Sequence, residues 1–385
     1  MKNSKSLIIL ILTFGVFGIL NTEMGYIGIL PNLADYFNVS VSTAGFLVSL
    51  FALAVAIAGP ILPLVFSGVN RKKVMIMVLM IFVVGNIIAV FTTNFTLALI
   101  ARVVPAFFHP VYVSLAMSVA ADSVSAKEAP KAIAKVFIGV SAGMVLGVPI
   151  ASFIADTFLI QASLEFFAIV NIITLIATIL FIPSLPVTKR LSYGSQLKIL
   201  TKGITWFSIL AVLFLNGAVF GVYSYLAEYL NVVTNMSDNL ISTMLLLYGS
   251  TNIVGNVIAG RLLSSNPIRT VTIFQIALIT LYLIFYPLAN LTVPTMIIIL
   301  IWGILGGISA NITQYWVMSA APKAPDFANG IYLSSVNLGT TIGTAIAGIV
   351  IAQIGTREIL FVGVVALIFS FTFIVFRNLM YKTST

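Results

Sequence analysis

The amino-acid sequence predicts an all-α integral membrane protein, with twelve transmembrane helices arranged as two pseudo-symmetric six-helix bundles. Three observations support this fold class. Only 8% of the 385 residues are charged, while 60% are hydrophobic. The few charges leave apolar runs long enough to cross a bilayer, and segments of one half of the chain recur in the other. Because soluble domains carry about 25% charged residues, a chain with so few must expose most of its surface to lipid.

Twelve helices follow from the places where charges interrupt the apolar runs. A helix needs about 20 mostly apolar residues to cross the hydrocarbon core, and a turn at residues 286–290 divides the longest run. The predicted helices are 6–31, 41–66, 73–92, 95–121, 132–156, 163–184, 203–230, 239–263, 270–288, 294–320, 330–354 and 359–378. The first of them is too long for a cleavable signal peptide and carries Glu23 in its interior.

The basic residues predict the orientation. With both termini in the cytoplasm, 17 of the 19 lysines and arginines fall on the cytoplasmic side, as the positive-inside rule requires. The net charge of +9 is therefore a topology signal and does not indicate a nucleic-acid-binding surface. We expect a monomeric, multi-pass protein of a bacterial plasma membrane, with the lipid bilayer as its surroundings.

The longest polar connector divides the helices six and six. It predicts an N-terminal bundle at 1–184, a cytoplasmic linker at 185–202 and a C-terminal bundle at 203–385. The segment 33–39 recurs as 226–232 at an offset of 193 residues, whereas later matches have an offset of 196, so we infer a three-residue insertion after the seventh helix. Repeats of this kind are typical of transporters that bind substrate between their halves.

Two charged residues lie inside predicted helices. Glu23 lies eight residues before the outer end of the first helix, and Arg102 lies seven residues into the fourth. Both are therefore roughly 10–12 Å below the outer surface and can meet if these helices pack together. An ionisable residue within the membrane is costly and indicates function by default. A carboxylate that stays ionised beside Arg102 and takes a proton in apolar surroundings would carry protons.

Polar and aromatic residues in the helices are candidates for a substrate cavity. The offset of 193 places Asn216 opposite Glu23, and aligning 102–106 with 302–306 places Trp302 opposite Arg102. The remaining candidates are Tyr26, His109, Tyr112, Tyr223, Asn311 and Gln314. As a set they favour an amphiphilic substrate over an ion. His109 lies two turns after Arg102 on nearly the same helix face, so a proton relay is the alternative to a binding role.

A stripe of small residues is repeated in the two halves. Gly139, Gly143 and Gly147, followed by Pro149, space small residues by four in the fifth helix, and the eleventh helix repeats this spacing. Such a stripe lets helix backbones approach closely. We expect it to form a smooth surface on which the halves slide. We call Gly139, Gly143 and Gly147 the glycine stripe.

These features together resemble the major facilitator superfamily over essentially the whole chain. Within it, the chain is similar to the twelve-helix drug:proton antiporters, in the branch of bacterial arabinose-efflux and purine-efflux permeases. The first loop at 28–45, Arg102 and the glycine stripe with Pro149 carry the resemblance. In this family the stripe is an antiporter motif, so the resemblance implies exchange and therefore export.

The family's loop signature between helices two and three is only partly present. Gly59-Pro60 and the basic residues Arg71 and Lys72 fit the signature, whereas Pro63 and Ser67 replace its glycine and aspartate. The resemblance therefore assigns Arg71 and Lys72 to a conformational motif, without the aspartate-based latch that accompanies it elsewhere.

The sequence excludes several other classes of protein. It contains no cysteine and a single histidine, so thiolate and multi-histidine metal sites are excluded and we expect no metal and no cofactor. A membrane-embedded enzyme would need a His/Asp cluster, yet Val113 stands four residues after His109. Because this cluster is missing, we expect no enzymatic activity. A sensor or scaffold would usually carry an additional soluble domain, and the predicted helices leave no room for one.

The sequence predicts a proton-coupled antiporter that exports a small amphiphilic molecule, such as a drug, a sugar or a nucleoside-like compound, by alternating access. In this hypothesis Glu23 carries the proton, Arg102 controls its affinity, and substrate binds between helices 1, 4, 7 and 10. A proton-coupled symporter that imports a nutrient is the alternative.

Overall fold

The computed structural model describes residues 2–125, 128–187, 194–321 and 325–380. Within these ranges there are twelve helices long and apolar enough to span a membrane, and there is no strand. We number them as spans 1 to 12, in the order Lys2–Gly28, Val41–Ala44 with Phe46–Ala58, Arg71–Phe91, Phe95–Asp122, Ala129–Thr157, Ile160–Phe181, Gly203–Tyr223, Asp238–Ser265, Pro267–Leu288, Thr292–Ala320, Pro325–Gln353 and Ile359–Met380. The twelve-helix fold class is confirmed.

Three predicted helices run further than the real ones. Spans 1 and 7 each end before a separate short helix, Leu30–Phe37 and Leu226–Val232, and span 2 ends at Ala58 before the short helix Leu62–Phe66. Pro31, near the start of the first short helix, favours a new helix there. The breaks escape a hydropathy count because both short helices after spans 1 and 7 bury apolar side chains, so the apolar run continues through them.

The two halves repeat each other with a single offset of 196 residues. The breaks after spans 1 and 7 occur at Ile29 (φ −113°, ψ 16°) and Tyr225 (φ −113°, ψ 17°), which are 196 positions apart. The predicted offset of 193 for this region, and the three-residue insertion, are therefore wrong. A slip of three residues keeps nearly the same helix face, which explains why the shifted segments still matched in sequence.

The correct offset also changes the counterpart of Glu23, because adding 196 to its number gives Val219. The pairing of Asn216 with Glu23 is wrong, and so is that of Trp302 with Arg102, because the same offset places Ile298 opposite Arg102. The amide of Asn216 instead donates hydrogen bonds within its own half, to the carbonyl of Val336 and to Thr340 Oγ1 of span 11.

Spans 2 and 5 of the N-terminal half face spans 11 and 8 of the C-terminal half. We call the end of the molecule that holds residues 29–45 and 224–238 the far side, and the opposite end, where span 1 begins and span 12 ends, the terminus side. At the far side, Ile27, Leu30 and Val48 belong to one apolar core together with the C-terminal half. The terminus-side core of the N-terminal half, which includes Leu12 and Val78, is separate. The two halves therefore share apolar packing at the far side.

Part of the predicted linker is helical. Residues 194–201 form a 3-10 helix, and the indole of Trp206 donates a hydrogen bond to the carbonyl of Leu200. Residues 188–193 lie outside the described residues, as do the predicted topology residues Lys127, Lys189, Arg190, Lys323 and Lys382. The bundle boundaries at 184 and 203 stay a prediction.

Candidate functional site

Arg102 lies in span 4 and is buried, with 4% of its surface exposed. Its Nε donates to the carbonyl of Leu47 (2.7 Å), Nη1 to the carbonyl of Thr22 (3.0 Å) and Nη2 to the carbonyl of Glu23 (2.8 Å). Hydrogen bonds from a charged donor are stronger than neutral ones. Arg102 therefore connects span 4 to spans 1 and 2 by hydrogen bonds to their backbone carbonyl groups.

Two aromatic rings enclose the guanidinium of Arg102. Its central carbon lies 3.5 Å from the ring centroid of Tyr26 and 4.6 Å from that of Phe51, and Tyr26 stacks on Phe167 with the centroids 5.6 Å apart. Cation–π contacts of this kind are stronger when the site is desolvated. Tyr26 therefore supports Arg102 and is 3% exposed, so it does not line an open cavity in this conformation.

A small cavity of about 10 Å³ adjoins Arg102, which is roughly the room that one water molecule needs. Asn86 of span 3 lines it, and the side-chain nitrogen of Asn86 is buried without a hydrogen-bond partner in the described part of the chain. Sequence reasoning missed Asn86, although an amide within an otherwise apolar helix was the signal that could have found it.

The carboxylate of Glu23 faces His109 rather than the guanidinium. Glu23 Oε2 lies 3.4 Å from His109 Nε2, and the two residues are 8% and 6% exposed. Side chains lean toward the N-terminus of their own helix. Because spans 1 and 4 run in opposite directions, the side chains of Glu23 and Arg102 lean apart. The two residues do meet, as predicted, but through the Glu23 backbone.

A polar brace holds the turn of span 1 that carries Glu23. Asn171 of span 6 donates hydrogen bonds to Thr22 Oγ1 (3.0 Å) and to the carbonyl of Phe167 (2.9 Å). The hydroxyl of Thr22 in turn donates to the carbonyl of Gly18 (2.9 Å). Spans 1, 4 and 6 are thus connected at one depth, and the sequence analysis had not singled out Asn171 or Thr22.

Four aromatic side chains form a cluster in the C-terminal half. Tyr223 and Tyr248 stack with their ring centroids 4.6 Å apart. Trp302 lies edge-on to Tyr248 at 5.3 Å and to Tyr282 at 5.6 Å. Trp302 is fully buried and Tyr223 is 6% exposed. The predicted pair Tyr223 and Trp302 therefore lies in one cluster, which Tyr248 and Tyr282 complete.

A chain of amides connects spans 8 and 10. Asn256 Nδ2 donates to Asn252 Oδ1 (3.1 Å), and Asn311 Nδ2 donates to Asn256 Oδ1 (2.6 Å). All three side chains are half-buried, and Gln314 one turn further is exposed. Gly306 packs against both Tyr248 and Asn252, so the amides and the aromatic cluster form neighbouring parts of one wall.

Tyr112 lies apart from both groups. It is fully buried, and its hydroxyl packs directly over Gly15 of span 1, inside the N-terminal bundle. The structure thus brings Glu23 and Arg102 together, with Tyr26 and His109, which were expected to bind substrate, beside them, and does not bring Tyr112 to this group. The binding roles of these side chains stay predictions.

The glycine stripe packs within the N-terminal half. A Cβ atom on Gly139 would lie 2.1 Å from the carbonyl oxygen of Thr13, and one on Gly143 would lie 2.5 Å from Leu20 Cβ. The expectation that the stripe itself is a sliding surface between the halves is therefore wrong, because it faces span 1 of the same half. Pro149 is accommodated inside span 5. A conformational role of these residues stays a prediction.

The basic residues at the start of span 3 also act within the N-terminal half. Arg71 forms an ion pair with Asp122 at the end of span 4. Lys72 Nζ donates to the carbonyl of Ile179 in span 6 (2.8 Å). These contacts hold together the terminus-side ends of three spans, and Asp122 is a partner that sequence reasoning missed.

No group of three or more His, Asp or Glu side chains that could hold a metal ion occurs among the described residues. The chemistry available at the site is therefore that of one carboxyl group, one imidazole and one guanidinium, beside a wall of aromatic rings and amides.

Comparison with known proteins places this site in a transport fold. The chain is 30% identical to an uncharacterised MFS-type transporter of Bacillus subtilis, over 92% of this chain and 91% of that one. It is 26% identical to an inner membrane transport protein of Escherichia coli, over 89% and 88%. It is also 26% identical to a protein of Helicobacter pylori named "Probable sugar efflux transporter", over 89% and 88%.

The fold is also found in solved structures. A variant of the nucleoside transporter NupG superposes with a TM-score of 0.79 at 14% identity, covering 98% of this chain and 100% of that one. A bacterial homologue of the human lysosomal transporter Spinster gives a TM-score of 0.78 at 15% identity, covering 99% and 98%. The sequence profile of the Major Facilitator Superfamily matches residues 12–325. The chain therefore belongs to the Major Facilitator Superfamily and is a multi-pass membrane transporter.

Proposed function

We propose that this transporter is a proton-coupled antiporter that exports a small amphiphilic molecule. The observation that carries the proposal is the buried carboxyl group of Glu23, which lies beside His109 while its backbone binds Arg102. A membrane helix keeps such a group only at a cost of about 2.5–3.5 kcal/mol even on insertion scales, so a functional reason is the default. Reversible protonation is the function that this chemistry offers.

The substrate side of the proposal rests on the C-terminal half. Aromatic rings give an apolar stacking surface, and the chain of Asn252, Asn256 and Asn311 offers hydrogen bonds to hydroxyl groups. This combination suits molecules with both an apolar face and several polar groups. Because one relative is named "Probable sugar efflux transporter", sugars and glycosides are the first candidates, ahead of drugs and nucleoside-like compounds.

The direction of transport follows from the topology that the basic residues predict. With the terminus side in the cytoplasm, the far side faces outward, and the shared apolar core closes it in this conformation. Glu23 takes a proton when the far side is open and releases it toward the cytoplasm when the far side is closed. Substrate binds when Glu23 has lost its proton. Each substrate molecule that is exported is therefore exchanged for one proton that moves inward.

Purified protein in liposomes tests this proposal. A thermal-shift screen of sugars, aryl glycosides, nucleosides and cationic dyes selects the substrate, with p-nitrophenyl β-D-glucoside as the aryl glycoside. We expect an imposed pH gradient to drive the selected substrate across the liposome membrane in the direction opposite to the protons. Glu23→Gln should abolish this transport. Glu165→Gln is the matched control, because Glu165 is an exposed carboxylate in span 6. Wild-type rates in Glu23→Gln would overturn the proposal.

The direction of flux separates export from the alternative, a symporter that imports a nutrient. In an antiporter, substrate and protons cross in opposite directions. In a symporter, they cross together. Accumulation of the substrate on the side toward which protons move would replace the proposal with the symporter.

A further inference from the structure

We propose that Glu23 and His109 form one proton-binding unit, in which the transported proton passes from Glu23 Oε2 to His109 Nε2. This inference rests on the proposed proton coupling and assigns His109 a role in it, in place of the substrate-binding role expected from the sequence. His109 thereby becomes the second residue of the proton pathway.

The geometry singles out His109 as the partner of the carboxyl group. The 3.4 Å between Glu23 Oε2 and His109 Nε2 is slightly beyond the 2.7–3.2 Å of an ordinary hydrogen bond. Within the described chain neither atom, nor His109 Nδ1, has a hydrogen-bond partner. Unpartnered buried polar atoms are rare and call for an explanation. A proton between the two atoms would satisfy both.

Arg102 is not available for this exchange. Its three donor nitrogens bind the carbonyls of Leu47, Thr22 and Glu23, and an arginine keeps its proton under all ordinary conditions. It supplies a fixed positive charge near the carboxylate. The ring of Tyr26, the other titratable side chain of span 1 at the site, stacks on the guanidinium of Arg102, and span 2 packs the ring of Phe51 against His109.

The position of His109 along span 4 relates the pair to the terminus side. Span 4 runs from the far side to the terminus side, so His109 lies seven residues closer to the terminus side than Arg102, about 10 Å along the helix axis. The backbone of His109 therefore lies on the terminus side of the level at which Arg102 binds the carbonyl of Glu23, on the part of span 4 that leads to the terminus side.

The transfer conserves charge within the pair. The O–H bond of the protonated Glu23 breaks and an N–H bond forms at His109 Nε2, which converts a neutral carboxyl and a neutral imidazole into a carboxylate and an imidazolium. When the two side chains separate, Nε2 releases the same proton to water at the terminus side. Glu23 is then ionised and His109 neutral, and one proton has crossed the pair.

His109→Gln distinguishes this role from substrate binding. Glutamine can accept and donate hydrogen bonds but cannot take up the proton. We expect pH-gradient-driven transport of p-nitrophenyl β-D-glucoside to fall by about a hundredfold, the lower end of the range for loss of an acid–base group. Exchange of labelled for unlabelled glucoside without a pH gradient needs no net proton movement and should stay within about twofold of wild type. Loss of both activities in a folded variant, or of neither, would overturn the proposal.

A second measurement needs no substrate, so it separates failure of this inference from failure of the proposed function. Infrared difference spectra of the detergent-solubilised protein are recorded across a pH series, and the signal of the protonated Glu23 carboxyl is identified by its absence in Glu23→Gln. Two groups that share a proton titrate as one unit. We therefore expect His109→Gln to move the pH at which this signal is half lost by at least about one unit.

Two further variants complete the experiment. His109→Asn replaces His109→Gln if the latter is unstable, because it removes the same titratable group with a shorter amide. Gln275→Leu is the matched control, since Gln275 is a fully buried polar side chain in span 9. It should leave the Glu23 titration where it is in the wild type. An unchanged titration in both His109 variants would overturn the shared-proton unit.

Discussion

The N-terminal and C-terminal halves share a backbone design but bury different chemistry. In both halves, a glycine of one span packs against the first span of that half in the same way, Gly143 on Phe17 and Gly339 on Leu213. These pairs are related by the offset of 196 that also relates Ile29 to Tyr225. The scaffold is therefore repeated, while the ionisable groups and the aromatic wall are not.

The position of Glu23 shows the difference most directly. Its counterpart, Val219, is an apolar residue with 5% of its surface exposed, so the C-terminal half has no carboxyl group at this depth of span 7. This difference is the basis of the proposed division, in which the N-terminal half carries the proton and the C-terminal half contributes the substrate-binding wall. The repeat supplies two similar frameworks that can rotate against each other.

Among the described residues, each half also contains one buried arginine, and the surroundings of the two differ. Arg377 of span 12 donates to the carbonyl of Trp316 (3.1 Å) and to Ser319 Oγ (2.9 Å), and its guanidinium lies 3.7 Å from the ring centroid of Trp316. Arg102 instead donates to three backbone carbonyl groups, one of which belongs to Glu23, and so connects three spans. Arg377 has no such link to an ionisable residue of the site.

The largest effect is expected from replacing these arginines by lysine. Lysine keeps the charge but cannot reproduce the fixed fork of guanidinium donors. Arg102→Lys should abolish transport and lower the free energy of unfolding by about 3 kcal/mol or more, because it leaves buried carbonyl groups without hydrogen-bond donors. Arg377→Lys is the matched comparison and should lower the melting midpoint while retaining transport. The melting midpoint in detergent and transport in liposomes are the measurements. Equal loss of transport in both variants would contradict the functional difference between the halves.

Moving the carboxyl group between halves should have the next largest effect. Val219→Glu places an unpaired carboxyl at the equivalent position of span 7, where no histidine or arginine of the site faces it. We expect it to lower the melting midpoint, since an intramembrane charge costs about 2.5–3.5 kcal/mol. We also expect it not to restore pH-driven transport when combined with Glu23→Gln. Recovery of transport in the double variant would show that the halves are interchangeable, against the proposed division.

Sequence reasoning predicted the twelve spans because a lipid-facing helix must be apolar along its whole length, and this signal is strong. It also predicted that Glu23 and Arg102 share a depth, because that follows from counting residues along two antiparallel helices. It did not predict which atoms meet. The contact of Glu23 with His109 depends on the direction in which each side chain leans, which residue spacing alone does not contain.

The repeat offset was a different kind of error. Residues 33–39 match 226–232 in sequence, yet the helix breaks and glycine contacts require a register that differs by three residues. Helical sequences match almost as well when they slip by three or four positions, since the same face returns. Only backbone features such as the break at Ile29, or a close helix contact such as that of Gly143, fix the register.

The smallest predicted effect concerns the far side, where the two short helices bring equivalent ends of the halves together. Burial raises the pKa of Glu228 above its ordinary value of 4.5, and the nearby charge of Asp35 raises it further. A carboxyl group whose pKa is raised in the folded state favours folding when it is protonated. Its contribution to stability is therefore present below pH 4.5 and is lost as the pH rises through the raised pKa.

Glu228→Gln tests this effect, because glutamine stays neutral at every pH. We expect the variant to have a higher melting midpoint than wild type at pH 7, and the difference to vanish below pH 4.5, the ordinary pKa of glutamate. Asp35→Asn should give a smaller stabilisation, because it removes the neighbouring charge but leaves the burial, which is the larger cause. A difference between Glu228→Gln and wild type that is the same at all pH values would exclude the carboxyl group as its source. The repeated ends of the halves would then meet without electrostatic strain at Glu228, and the raised pKa would have no effect on the stability of the closed far side.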